Sequence, residues 1–362
     1  MLEASVIPDI DIIAVSSLRD AVEMLTGEKW ITANPHTDIA SIPRTQMCIN
    51  FSSIHGQEQA KRALLIAAAW GHNILMQWPP GSGKTMLAKA LAWILPSMET
   101  DEQIELSKIY SVAWLLSKDM PLVTERPFRI IHHTASEASI IGGGRDSKPG
   151  EISLAHKWVL FLDEFLEFDK HILETLRQPL EDGEITINRV NMTCRYPSRF
   201  SLVGAMNPCP CGFMGDPEKE CICSPNIIER YRSRLSWPIL DRIDIFIQVP
   251  RVKVGELESS TTPKTSTEEL RKIVEHTRHI QKERFSGSKI HRNAEMSNTD
   301  IDNYAQIEEA ARKIAITSTE RLHLSTRVFY RILRVARTIA DIEWSPMVLI
   351  PHILEALSYR WS

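Results

Sequence analysis

The chain has 362 residues, 43% of them hydrophobic and 24% charged, with a formal net charge of -4. At roughly 100 to 200 residues per domain it is a globular chain of two or three domains, which excludes a single small domain, a fibrous repeat and a disordered tail. Residues 1–250 hold 24 Lys and Arg against 31 Asp and Glu, and residues 251–362 hold 18 against 15, so no global basic field exists and any DNA contact must come from local patches.

In chain order, residues 1–45 offer one short helix candidate at 17–25, too little to bury a core alone. Acidic Glu3, Asp9 and Asp11 stand where an export signal needs positive charge. The longest apolar stretch, 63–78, is interrupted by Gly71, His72 and Asn73 before it could cross about 30 Å of hydrocarbon. A cytoplasmic protein with no membrane partner is expected.

From 46 to 250, short apolar runs at 73–77, 159–162, 200–206 and 243–249 alternate with helical patterns, the rhythm of an α/β fold with a parallel sheet. The first run leads into Trp78-Pro79-Pro80-Gly81-Ser82-Gly83-Lys84-Thr85 and then a helix from Met86. That is the strand, loop and helix setting of a phosphate-binding loop, in which glycines turn N–H groups onto phosphate oxygens, Lys84 reaches the outer phosphates and Thr85 holds Mg²⁺. The pattern's first residue should be Gly and is Trp78; an indole there must swing outward or crowd the nucleotide. The second run ends in Asp163-Glu164, where Asp163 can orient Mg²⁺ and Glu164 can polarise a water. The third ends at Asn207, whose amide could sense the γ-phosphate, although Asn before Pro208 is also a common turn.

Cys209, Cys211, Cys221 and Cys223 fall within one loop containing Gly212, Gly215 and Pro217. Four thiolates could close on Zn²⁺ there, with free thiols or disulfides the alternatives. The tighter C-x-C spacing departs from the usual C-x-x-C. His132 and His133 read as loop residues rather than ligands.

Residues 251–265 are rich in Ser and Thr without apolar period and read as a linker. Beyond it, 266–362 is expected to be a helical domain, opened by a capping box of Ser266 with Glu269 and by Leu270, Ile273, Val274, Thr277 and Ile280 at helical spacing. Arg331, Arg334 and Arg337 in the helix 327–338 read as a solvated or interface face.

Together, Gly56-Gln57-Glu58-Gln59-Ala60-Lys61-Arg62-Ala63, the phosphate loop, His132-His133-Thr134-Ala135-Ser136, Ile141-Gly142-Gly143-Gly144, Pro149-Gly150-Glu151-Ile152, the Asp163-Glu164 strand, Asn207-Pro208-Cys209-Pro210-Cys211-Gly212 and Leu240-Asp241-Arg242-Ile243-Asp244 resemble the magnesium-chelatase-like AAA+ ATPases of the ComM (YifB) type. The resemblance spans about residue 51 to the C-terminus and implies an AAA+ P-loop core with a C-terminal helical lid. Residues 1–45 would then be the tail of a truncated Lon-protease-like domain. Its nucleotide-binding set would be Gly56, Gln57, Pro80, Gly81, Ser82, Gly83, Lys84, Thr85 and Asp163, with ATP and Mg²⁺ as cofactors and Glu164 and Asn207 as catalytic residues.

The resemblance further implies that Arg242 is an arginine finger on a neighbouring subunit's nucleotide and that Arg327 is the sensor-2 arginine. A homo-oligomeric ring of six follows, acting on branched or single-stranded DNA in recombination and uptake of incoming DNA. The related chelatase subunits drive magnesium insertion into porphyrin instead, and a nucleotide-binding scaffold with a degenerate loop is a further alternative. Two segments are candidates for DNA contact: the Gly-rich stretch 139–147 with Arg145 and the adjoining Lys148, and the hairpin 184–195 with Arg189, Asn191 and Arg195.

Nine Trp stand beside only 15 Gly, about 4% of the chain where roughly 7% is usual. Trp70, Trp78, Trp93, Trp114, Trp158, Trp237 and Trp344 occupy positions where the resembled family carries Gly. Restoring glycine at these seven removes both anomalies together, which leads to the hypothesis that the source reads the codon UGA as Gly. A degenerate paralogue with a damaged phosphate loop is the competing reading.

Overall fold

The computed structural model describes residues 10–33, 50–54, 56–80, 83–116, 122–144, 147–189, 192–216, 218–250, 266–288, 290 and 292–361. The predicted linker, Gly81, Ser82, Arg145 and Asn191 lie outside these residues, as do the side chains of Trp70 and Arg189. The chain divides into two units, 1–47 with 97–126 and 48–96 with 127–362.

In the first unit the expected helix runs Leu18–Leu25, started by Ser17, whose side chain accepts from the Asp20 N–H. The helix Thr100–Val112 opens on a capping box of Glu99 and Glu102.

The second unit holds the strands β1 (Ile74–Gln77), β2 (Phe128–Ile131), β3 (Gly142–Gly143), β4 (Lys148–Pro149), β5 (Val159–Leu162), β6 (Glu184–Arg189), β7 (Met192–Pro197), β8 (Ser201–Met206) and β9 (Ile245–Gln248). Five form a parallel sheet in the order β2-β5-β8-β1-β9; β3 with β4 and β6 with β7 are separate antiparallel pairs. Every residue of β1 and β5 is buried, as a parallel sheet covered on both faces requires.

One face packs on the helices Glu58–Trp70 and Lys84–Ile94 and on the C-terminal helices; the other buries Leu75, Leu160, Leu162 and Leu202 against Phe165, Leu173 and Ile239. Gly204 makes the second face possible, since a Cβ there would come 2.7 Å from Leu75 Cδ1 and 2.9 Å from Phe165. The expected capping box of Ser266 and Glu269 opens the helix Thr267–Arg284, which buries Leu270, Val274 and Thr277. Arg62 of the helix Glu58–Trp70 pairs with Glu343, the C-cap of the helix Thr326–Ile342, at 2.6 Å and with Glu355 of the helix Ile350–Ser358 at 2.9 Å.

Three expectations need correction. Strand β2 was not expected: it is a half-buried edge strand of four residues in which Arg129 interrupts the apolar run and pairs with Glu151. The arginine stripe is not a solvated face, since Arg331 and Arg337 are buried. Arg337 donates to Asp341 at 2.7 Å and to the carbonyls of Ala305, Ser345 and Pro346 at 3.1, 2.6 and 2.9 Å. A guanidinium so satisfied can be buried, but apart from Asp341 its partners are backbone carbonyls outside the helix and are invisible to helical spacing. Trp78 does not swing outward: it is fully buried in the core, and its indole N–H has no hydrogen-bond partner among the described residues.

Two other tryptophans hold an uncommon backbone. Trp114 and Trp344 have φ of 62° and 58°, each one residue past a helix C-cap. The next N–H reaches back five residues, Leu115 to the Tyr110 carbonyl at 2.9 Å and Ser345 to that of Ala340 at 2.8 Å. Gly27 stands at the same position after the helix Leu18–Leu25, with the Glu28 N–H on the Glu23 carbonyl at 2.8 Å. Helices commonly place Gly there because the left-handed conformation costs a side-chain-bearing residue.

Candidate nucleotide site and cysteine cluster

Parallel strands deliver their C-terminal ends to one edge of the sheet. Gln77 pairs with Met206 and Leu162 with Gly204, so the residues after β1, β5 and β8 emerge side by side. The Trp78 N–H continues the ladder to the Met206 carbonyl at 2.9 Å. Gly83 then turns left-handed, at φ 82°, into the helix beginning at Lys84, with Thr85 one residue on.

Lys84 Nζ donates to the Asn207 side-chain oxygen. Burial pushes the Lys84 ammonium below its ordinary pKa, and the nearby charges of Asp163 and Glu164 oppose that fall. The Glu164 N–H bonds Asp163 Oδ1 at 2.9 Å. Lys84, Asp163, Glu164 and Asn207 thus meet at one place, a half-buried cation facing two carboxylates and an amide. Such a cation suits an oligophosphate, and the two acids suit the divalent ion that accompanies it. Gly56 and Gln57 form a left-handed turn at the start of the helix Glu58–Trp70, with φ of 65° and 58°.

One member of this site was missed in the sequence. His133 Nδ1 lies 2.8 Å from Glu164 Oε2, and the Glu164 backbone is itself left-handed, at φ 53°. His133 stands two residues beyond β2; with that strand unrecognised, nothing in the sequence placed it beside β5.

Arg242 and Arg327 are not brought to this edge. Arg242 precedes β9, and its carbonyl accepts from the Asn73 amide at 2.8 Å, next to the start of β1. Its guanidinium pairs with Glu181 and donates to the Pro238 carbonyl at 2.7 Å, while Arg327 reaches Asp241 at 3.2 Å and Glu181 at 3.8 Å. The hydrogen bond from Arg242 holds the Glu181 carboxyl below its ordinary pKa. Arg242, Arg327, Arg292 and Arg334 line a cleft of about 490 Å³ with Asp241 and Asp244. Since four residues of strand span about 13 Å, the sheet separates this cleft from the chain's own Lys84.

The four cysteines form a compact group. Cys209 Sγ lies 3.4 Å from Cys211 Sγ and 3.6 Å from Cys221 Sγ, and all four sulfurs lie within 4.8 Å of one another. Disulfides need about 2.05 Å, whereas four thiolates at 2.3 Å from a tetrahedral Zn²⁺ sit about 3.8 Å apart. The donor set and spacing therefore fit zinc. The Phe213 amide draws the Cys211 thiol down to about 6. Cys221 is pushed up to about 12, because burial and the neighbouring thiols outweigh the Cys223 amide that favours its thiolate.

The family model described as magnesium chelatase, subunit ChlI, matches residues 50–257, and the model for the ChlI C-terminal region matches 264–360. The chain belongs to the magnesium-chelatase family of AAA+ proteins. The competence protein ComM of Haemophilus influenzae is 40% identical over 368 residues, covering 99% of this chain and 69% of ComM. YifB of Escherichia coli is 40% identical over 312 residues, covering 86% of this chain and 60% of YifB. The 38 kDa magnesium-chelatase subunit of Rhodobacter capsulatus is 28% identical over 249 residues, covering 64% of this chain and 67% of that protein.

In this magnesium-chelatase-family chain the two segments considered for DNA lie together. The Tyr196 hydroxyl of β7 donates to the Ser147 carbonyl at 2.9 Å, and a Cβ on Gly142 would meet Ile187 of β6 at 2.7 Å. Lys148 is exposed, and so is Arg195, 3.8 Å from Glu184. Among the described residues, no helix is long and apolar enough to cross a membrane.

Proposed function

We propose that this chain hydrolyses ATP as one subunit of a homo-oligomeric ring of six that moves branched or single-stranded DNA, by branch migration or unwinding during recombination and uptake of incoming DNA. The observation that carries the ATPase reading is the meeting of Lys84 with Asp163, Glu164 and Asn207 at the C-terminal edge of the sheet. Bound ATP and Mg²⁺ would supply the transferable phosphoryl group and the divalent charge that neutralises it.

The residues divide the remaining work. Gly81, Ser82, Gly83 and the helix N-terminus offer N–H groups to phosphate oxygens, and Lys84 adds a fixed positive charge. Thr85 and Asp163 hold the metal. Glu164 orients a water and accepts its proton, while Asn207 exchanges Lys84 for the outer phosphate or the water. Gly56, Gln57 and Pro80 bound the site.

Arg242 and Arg327 act in trans. They sit together on the edge opposite the phosphate loop, where only a neighbouring subunit's nucleotide can meet them. Arg145, Lys148, Arg189 and Arg195 then face DNA, where ring symmetry multiplies a few cations per subunit and offsets the acidic net charge. Within this reading residues 46–250 are the motor core, 251–265 a linker and 266–362 the helical lid. The four thiolates hold one structural Zn²⁺, and the protein works in the cytoplasm.

ATPase activity measured with and without branched DNA tests the proposal. A motor is stimulated by the DNA. A chelatase-type subunit, the class of the 28% identical relative, responds instead to partner subunits and porphyrin, and a scaffold binds nucleotide without turnover.

A further inference from the structure

The cysteine loop touches the phosphate loop. It begins at Asn207, the residue bonded to Lys84, and its first ligand, Cys209, follows after one proline and is fully buried. The Gly212 N–H closes a turn onto the Cys209 carbonyl at 2.9 Å, with Gly212 at φ 82°. This turn presses its bare Cα against Pro80, the last described residue before Gly81 and Ser82: a Cβ on Gly212 would lie 2.4 Å from Pro80 Cγ and 2.6 Å from Cδ. Both contacts are stiff, since proline cannot rotate away and Gly212 has no side chain to yield.

We infer that the metal held by Cys209, Cys211, Cys221 and Cys223 controls nucleotide binding, by fixing the loop that carries Asn207 to Lys84 and Gly212 to Pro80. This rests on the zinc and nucleotide readings above and goes beyond both: a merely structural zinc would leave nucleotide affinity alone. Without metal, the two C-x-C pairs keep only thiol contacts of 3.6 Å from Cys209 and Cys211 to Cys221 and amide bonds to the Cys211 and Cys223 sulfurs, ties much weaker than metal–thiolate bonds, and the turn beneath Pro80 can part from it. Coupling between sites is reciprocal in binding free energy, so nucleotide must in return raise the equilibrium affinity for zinc.

The test uses the full chain, with a fluorescent ATP analogue for affinity, equilibrium competition against a chromogenic chelator for zinc affinity and metal analysis for stoichiometry. One zinc per chain is expected. Replacing Cys221 and Cys223 by Ser should weaken the analogue's binding by about tenfold, within the usual range for coupled sites, and saturating analogue should tighten zinc binding to the unaltered protein by a similar factor.

Gly212→Ala should keep its zinc and lose affinity. Gly215→Ala is the matched control, because Gly215 has the same left-handed backbone, at φ 80°, with nothing within 4 Å of where a Cβ would stand; its affinity should be unchanged. Should Gly212→Ala fail to fold, the zinc-competition measurement on the unaltered protein decides alone. Zinc present at one per chain, with an affinity indifferent to nucleotide, would overturn the coupling and leave the zinc reading standing. Protein that binds the analogue without zinc would overturn the zinc reading and the coupling together, and protein with zinc that binds no analogue would overturn the nucleotide site.

Discussion

The two edges of the parallel sheet carry the same kinds of residue in opposite states. At the C-terminal edge, among the described residues, Lys84 meets an amide and two nearby carboxylate charges, and burial lowers its pKa, so an anionic ligand would improve its surroundings. At the N-terminal edge Arg242 and Arg327 are already paired with Glu181 and Asp241, so a ligand there must displace internal partners. On the proposed reading the first edge is ready to bind alone, while the second is held in reserve, its arginines gaining from a phosphate only when a second subunit delivers one.

The largest effects should come from breaking the first edge. Lys84→Ala should reduce ATP hydrolysis to background, and Glu164→Gln should bind ATP without hydrolysing it, both read by phosphate release beside equilibrium binding. Unchanged turnover in either would dissolve the distinction between the edges. Next comes the second edge: Arg242→Ala should lose turnover while keeping nucleotide affinity, and mixing it with Lys84→Ala should recover activity by joining an intact finger to an intact pocket. If no mixing ratio restores activity, the reserve reading is wrong.

A finer test concerns His133. Loss of its bond to Glu164 in His133→Ala should lower kcat by about tenfold, the worth of one charge-assisted hydrogen bond, with ATP affinity unchanged. His133→Asn should recover part of it. Smallest is an effect on neither edge: Trp344→Gly and Trp114→Gly should each stabilise the protein by about 1 kcal/mol in urea unfolding, by relieving a left-handed backbone. If the glycine-for-UGA hypothesis holds, the gene carries UGA at all seven positions and mass spectrometry of the native protein finds glycine there. UGG codons would refute it.

Much of the site was legible because parallel α/β folds put chemistry at strand ends, and apolar runs mark those ends. Lys84, Asp163 and Asn207 could each be found by reading where a buried run stops. The sheet's fifth strand could not, since Phe128-Arg129-Ile130-Ile131 is broken by a charge and only its last residue is fully buried, and His133 was lost with it. The buried arginines escaped for a related reason: charge is visible in a sequence, but the carbonyls of Ala305, Ser345 and Pro346 that make Arg337 tolerable are not. The left-handed turns at Trp114 and Trp344 were hidden because the residue that normally announces such a turn is absent.

If the chain assembles as proposed, the separation of loop and arginines onto opposite edges gives each subunit a head and a tail, so contacts between subunits would be of unlike faces rather than a self-complementary pair. An open row of such subunits always ends in one pocket with no arginine beside it, and only closure supplies the missing one. Specific activity would then count subunits: an isolated chain is silent, a short row works below its number of pockets, and the last subunit to join completes two interfaces at once. Dilution should therefore extinguish turnover per chain before it extinguishes nucleotide binding.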